Sequence, residues 1–456
     1  MSTSLRHLVL ICMVGVLIGC TYSKPSRWGH FHGDLGGQGF QQINSGFALS
    51  STWTSAPYKI TSSSPVIGYD FQSREVLYVG TTDGKLVAIR TEDGSEKWQR
   101  ALGTTDSVTR IFSSPSVSDL GDIYVITNRL IGDDRMGSTL HKVDQFSKTK
   151  WAYVFPDNGF TSGSPKVVTR ANETLIFVYV AGDASGDIQG ELLVLRDEDY
   201  SAKLLDRKPL GDCRHDDVAS GAGADKVLDF YKNVWDFFGD FPVVLDISGV
   251  DLPDHFVDPS VAIIANREKP LIAIADSLCN IGAFEWDGVE LSVTWREGHK
   301  FNKHSSAVVL PNNLMVFGQR DNKVLAYDAE TGVKMWEYDA GQPVLATPAA
   351  PSSEFIFVVS KSAIQALNPA DGTLIMDGKL PRKLPLLGAT YSSPAVTANR
   401  IYVANSEMLT VTYDLKTRGH DTNLIGNRLS SVAIGSDGAV YAVAFDGTIH
   451  KYSGTD

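Results

Sequence analysis

Cysteine is scarce, long apolar runs are missing after the N-terminus, and positive charge is in deficit. Only Cys12, Cys20, Cys213 and Cys279 occur in 456 residues. Beyond residue 18 no apolar stretch is long enough to span a bilayer, so the body is expected to be soluble. Lys and Arg total 41 against 53 Asp and Glu, a net charge of −12. That balance argues against a nucleic-acid partner and against charge-driven binding to anionic lipid. Neither G-x-S-x-G nor H-E-x-x-H occurs, and neither does a P-loop.

What is present is a repeat. Ser63-Ser64-Pro65, Ser113-Ser114-Pro115, Gly163-Ser164-Pro165, Ser305-Ser306-Ala307, Ala346-Thr347-Pro348 and Ser392-Ser393-Pro394 each precede an apolar run. Asp258-Pro259-Ser260 and Ser430-Ser431-Val432 fit the slot more loosely. Positions 65, 115, 165, 259, 307, 348, 394 and 432 are separated by 50, 50, 94, 48, 41, 46 and 38 residues. One step is double and marks an insertion; the others have the spacing of propeller blades.

The first copy shows the unit. Residues 75–80 are β-branched and aromatic, Asp83-Gly84 is a hairpin turn, and residues 85–90 return. A second turn at Asp93-Gly94 leads into a strand through Trp98. With the run after Ser-Ser-Pro this makes a four-stranded antiparallel blade. Residues 326–336 repeat the second half, from Ala326 through Asp328, Thr331 and Gly332 to Trp336.

These strings resemble the PQQ-like β-propeller family, whose repeat reads roughly A-x-D-x-x-T-G-x-x-x-W after Y-V-G-x-x-D-G-x-L. Trp98, Trp151, Trp295 and Trp336 take the family's docking-Trp slot, with Leu205 and Ile375 as degenerate versions. The opening Trp28-x-x-Phe31-x-x-Asp34 also resembles secreted members. The expected fold is all-β: about eight blades of four antiparallel strands, with one helical insertion near 209–257. The last copy ends before its outer strand. The stretch Ser51-Thr-Trp53-Thr is expected to supply it and close the ring, removing exposed edges.

Arg6 and His7 precede a short apolar stretch and then Leu17-Ile18-Gly19-Cys20. Residues 1–19 read as a signal peptide whose lipobox places the acyl chains on Cys20. Thr21 in place of Asp implies, by resemblance, the outer membrane. Residues 20–50 read as a tether and lead-in, and 51–456 as the propeller; the polar, Gly-rich stretch 23–39 looks partly like tether. Cys213 and Cys279 either pair in a disulfide or stand as separate thiols.

Propellers of this type include quinoprotein dehydrogenases, which use a vicinal Cys-Cys ring, a calcium site of Glu, Asn and Asp, and an Asp base. This chain has no adjacent cysteines and no evident ligand set, so no cofactor and no catalysis are expected. His30-x-His32-x-Asp34 has the letters of a metal motif but lacks the downstream ligands, and reads as part of the opening segment. His215, Asp216, Asp217, Asp254, His255 and Asp258 read as an acidic solvated loop.

Within the insertion, Asp225 to Gly239 has helical periodicity. Val227, Leu228, Phe230, Tyr231, Val234, Trp235, Phe237 and Phe238 share one half of a wheel. That face either packs on the rim or binds a partner, through Tyr231, Trp235 and Phe238. The resulting expectation is a monomeric, lipid-anchored periplasmic scaffold that binds envelope or outer-membrane proteins, similar to BamB-type assembly lipoproteins. The alternatives are a carbohydrate- or polymer-binding lipoprotein and a quinone- or metal-dependent enzyme.

Overall fold

The computed structural model describes residues 28–46, 48–60, 62–103, 109–131, 135–170, 173–180, 190–210, 259–276, 280–298, 305–351, 354–360, 363–375, 384–385, 392–404, 410–414, 420–423, 430–444 and 446–455. The insertion between 211 and 258, with its expected helix, lies outside these, as do Cys20, Cys213 and Cys279. Among the described residues the only helical element is a 3₁₀ turn, Pro156–Asn158. No helix there is long and apolar enough to cross a membrane.

Blade 1 is the simplest unit: Val66–Tyr69, Glu75–Gly80, Lys85–Arg90 and Glu96–Ala101, each antiparallel to the next. The three inner strands are buried and the fourth is mostly exposed. The described strands form eight sheets in this manner. Seven carry four or more strands and are full blades; the sheet of Ile356–Ser360, Ala363–Leu367 and Leu384–Pro385 has three. The expectation of about eight four-stranded blades is therefore corrected to seven. Proline explains the shortfall. Pro351 stands where Gly68 pairs in blade 1 and cannot donate to the ladder, whereas Pro348 has counterparts before complete inner strands. Among the described residues a single bridge, Ala349↔Phe357, forms there.

Ala48–Thr54 pairs antiparallel with Ile449–Thr455 as the outer strand of the last blade. The N- and C-terminal ends of the fold are thus joined in one sheet, as the Trp53 stretch led us to expect.

The core lies between blades. Leu175, Phe177 and Leu192 of blade 3 share a cluster with Ile272, Phe284 and Trp286 of blade 4, and the other joints repeat this. Tryptophans of the outer strands lock the joints. Indole N–H groups of Trp53, Trp98, Trp295 and Trp336 donate to Thr91, Gln145, Ala329 and Pro369 carbonyls of the following blade at 2.8–3.0 Å. Trp151 donates instead to the Asp197 carboxylate, at 2.9 Å. The turn that receives Trp336 needs Gly372, because a Cβ there would lie 2.5 Å from the ring. Leu205 and Ile375, the degenerate versions, pack against the clusters of their own joints without such a bond.

The Ser-rich openings form a belt around the axis. Ser64 N donates to Ser114 Oγ, Ser114 N to Ser164 Oγ, Ser164 N to Ser260 Oγ and Ser260 N to Ser306 Oγ. Thr347 N donates to Ser393 Oγ, Ser393 N to Ser431 Oγ, and Ser431 N returns to Ser64 Oγ. Short hydroxyl side chains fit where inner strands crowd, and each satisfies a buried backbone donor of its neighbour.

Candidate functional site

Up-and-down strand order gives the ring two distinct faces. The turns after first strands (70–74, 118–122) and after third strands (91–95, 144–148, 197–201) lie on one, here the turn face. The turns after second strands (81–84, 319–322) and the blade-to-blade connections lie on the other, the connection face. The long insertion leaves from the connection face, where Leu210 N is bonded to Gly190 O.

Residues 28–41 close the axis from the turn face. They travel around it and meet the blades in order. Backbone N–H groups of Ile67, Val117, Ile263, Val309, Ala350 and Val396 donate to the carbonyls of Trp28, Gly29, Leu35, Gly36, Gln38 and Gly39, at 2.7–3.0 Å. Blade 3 contributes a side chain instead: Lys166 Nζ donates to Phe31 O at 2.9 Å and Asp34 O at 2.6 Å. Gln41 Nε2 reaches Gly435 O of the last blade at 3.2 Å. Phe40–Gln41 also pairs in parallel with Ala395–Thr397 as a fifth strand of its sheet. The stretch read from composition as partly tether is therefore built into the fold up to Trp28, which is 2% exposed.

The turns of this plug demand unusual backbone. Gly39 has φ +61, and a Cβ there would sit 2.3 Å from His32 Nε2. His32 sets Nδ1 2.6 Å from Gly37 O and Nε2 2.7 Å from Pro394 O, and the neutral ring donates to one of the two carbonyls. Burial lowers its pKa to about 4 against the pull of those carbonyls. His30 is lowered as well, by burial first and by the Lys166 charge second. Burial lowers Lys166 to about 8, opposed by Asp34, and raises the Asp34 carboxyl, opposed by its turn N–H groups and Lys166.

His30, His32 and Asp34 are thus brought near the axis, but as parts of the plug and not as a ligand set. Among the described residues no group of three or more His, Cys, Asp or Glu is placed to hold a metal ion. A calcium-bound quinone needs several free oxygen ligands and a basic partner for its carboxylates. The polar groups in this part of the axis do not fit that demand. Lys166 and both His32 nitrogens already face the chain's own carbonyls.

One cleft of about 290 Å³ lies where blades 4 and 5 meet. Glu297, Lys323, Lys334 and Glu337 line it, and both lysines pair with Glu337. Tyr231, Trp235 and Phe238, and the His215 to Asp258 acidic set, lie outside the described residues.

Lys166 was not anticipated. Its signal was present: it follows Ser164-Pro165 at a slot that holds Val66, Ser116, Ala349 and Ala395 in other copies. A charged outlier in an apolar register marks a buried partner.

A closed ring of antiparallel sheets with a plugged axis defines a propeller of the PQQ-like class. The sequence profile described as outer membrane protein assembly factor BamB matches residues 50–152 and 286–452, and the chain belongs to that family. No curated protein matches the sequence significantly. Similar solved structures include a europium-containing methanol dehydrogenase, 12% identical, with TM-score 0.65 over 96% of this chain and 100% of that one. The quinohemoprotein alcohol dehydrogenase ADHIIG from Pseudomonas putida HK5 is 12% identical, with TM-score 0.62 over 95% and 81%. BamB from Moraxella catarrhalis is 10% identical, with TM-score 0.54 over 89% and 100%. At such identities the likeness is one of fold.

Proposed function

We propose that the protein is a non-catalytic scaffold of the bacterial envelope, anchored to the outer membrane through acyl chains on Cys20 and facing the periplasm. Its partners are other envelope proteins, in the assembly of outer-membrane proteins. The observation that carries this reading is the plug. Residues 28–41 spend the polar groups they reach at the axis on backbone contacts, so recognition falls to the faces and rim. Membership of the BamB family supports the same reading.

The test is crosslinking in intact envelopes followed by mass spectrometry of what is captured. Barrel-assembly proteins are expected among the captured partners. Capture of none, together with specific glycan binding or a bound quinone chromophore, would overturn the scaffold. The anchor has its own test. Cys20→Ser should move the protein from the membrane pellet to the soluble periplasmic fraction, and retention in the pellet would count against acylation as the anchor.

A further inference from the structure

We propose that the turn face over blades 1 and 2 rests on the lipid bilayer, with Phe71, Leu120 and Phe146 dipping into the interface. This rests on the reading of Cys20 as the acylated residue. Phe71 and Phe146 are each 62% exposed and Leu120 is 48% exposed. The two phenyl rings touch each other, with centroids 5.5 Å apart at 34°, although they come from different blades. Phe71 lies in the first turn of blade 1, Leu120 in the first turn of blade 2 and Phe146 in the last turn of blade 2. All three turns therefore project from one face.

The turns are built to present these side chains. Asp70 Oδ1 accepts the N–H groups of Gln72 and Arg74, and Asp144 Oδ1 accepts those of Phe146 and Lys148. Each carboxylate is turned inward, and the neighbouring apolar residue is left at the tip. The acid charges are also paired: Asp70 with Arg74 and Lys97, Asp144 with Lys150. Exposed Arg74, bound to Asp70, and exposed Lys148 stand in the same turns as the phenyl pair, and exposed Asp119 precedes Leu120. The sector thus offers apolar tips among charges of both signs, most of them paired, so that insertion rather than charge drives contact with lipid.

The route of the chain selects the occupant. Trp28 and Ile67 form an antiparallel bridge. The strand Val66–Tyr69 runs toward the turn face, so the chain at Trp28 runs away from it. It comes in beneath blades 1 and 2, where Ile67 and Val117 donate to Trp28 and Gly29. Cys20 precedes Trp28 by 8 residues, at most ~29 Å of extended chain. About 10 Å of that is used between Ile67 and the turn at Asp70. The acyl chains on Cys20 therefore hold a bilayer within about 20 Å of this face, on the side of the exposed phenyl pair.

The experiment is amide hydrogen exchange on the full chain bound to phosphatidylethanolamine–phosphatidylglycerol vesicles, against Cys20→Ser protein in solution. Exchange in turns 70–74, 118–122 and 144–148 should slow about tenfold on vesicles, while turn 81–84 on the connection face keeps its rate. The double variant Phe71→Ser/Phe146→Ser should lose that protection and keep its melting temperature, since both rings are exposed. Unchanged exchange in all turns, or protection at 81–84 instead, overturns the proposal. Protection of the three turns by a soluble envelope protein without vesicles also overturns it, in favour of a protein partner. The mass of the N-terminal peptide reports acylation separately. If Cys20 is unmodified, the same exchange is read with the full chain held on nickel-chelating vesicles by an N-terminal histidine tag. That decides the face independently of the anchor.

Discussion

Trp336 joins two blades through ring packing and one hydrogen bond, and the two contributions can be separated. It is 7% exposed and donates to Pro369 O at 2.8 Å. Trp336→Ala should cost ~3–5 kcal/mol. Trp336→Phe, which keeps most of the ring and loses the N–H, should cost ~1–3 kcal/mol, the price of a buried carbonyl left alone. Urea unfolding of both variants measures the split, and equal costs would mean that the indole N–H carries the joint. Ser114→Ala tests the hydroxyl belt. It removes the acceptor of the Ser64 N–H, and the unfolding free energy should fall by ~1–3 kcal/mol in the same assay. At this scale much was legible. The docking tryptophans and the belt serines stand at fixed repeat positions, so the periodicity picked out the serines, and the family resemblance built on it picked out the tryptophans. Lys166 showed only as a charged outlier in its register; its partners did not show, because they are backbone carbonyls of a segment 132–135 residues away, and a carbonyl leaves no mark in sequence.

The element that completes the ring is the strand Ala48–Thr54. Its partner, Ile449–Thr455, would otherwise present an open edge. Deletion of residues 48–54 should give dimers or larger species through that edge, or loss of the fold. Light scattering after gel filtration is the check, and a truncated monomer with unchanged melting would contradict closure. The closing strand was legible because Trp53 carries the docking signature outside the repeat array. The three-stranded sheet was hidden. Its Pro348 looks like the other Ser-Pro openings, and only the second proline, Pro351, prevents the inner pairing. The plug was half legible: Trp28 marked it as packed, but its Gly-rich composition reads like tether. The same glycines supply positive φ, as at Gly33, Gly37 and Gly39, that tight turns around an axis require.

The whole molecule carries an asymmetric response to pH. Burial lowers His32 and His141 to about 4, and lowers His30 too. Below pH ~6.5 the unfolded chain takes up these protons before the native one does, so stability falls toward pH ~4, by up to ~3 kcal/mol per ring. Asp34, raised by burial, binds its proton earlier in the native state and offsets part of this. Lys166, lowered to about 8, works at the other end. Between pH ~8 and ~10.5 the unfolded chain holds more protons, so this group adds stability as pH rises. The denaturation midpoint should drop from pH 7 to 5 and rise modestly from pH 8 to 9.5. His32→Gln should shallow the acid limb and Lys166→Met should flatten the alkaline one. An alkaline limb unchanged in Lys166→Met would show that its ammonium is not buried in solution.

The plug also dictates an order of assembly. Residues 28–41 are synthesised before any blade, yet their contacts end at Gly435, 394 residues from Gln41. Contacts of such separation are slow to form, because a long loop must close before they contribute. The first segment made is therefore among the last to find its place. A nascent chain that stops short of Ser430 has neither a complete belt nor the Gly435 carbonyl that receives the Gln41 side chain. The unfinished ring keeps its inner strands accessible until the final blade arrives, and the chain is at its most vulnerable to proteases and aggregation in that interval.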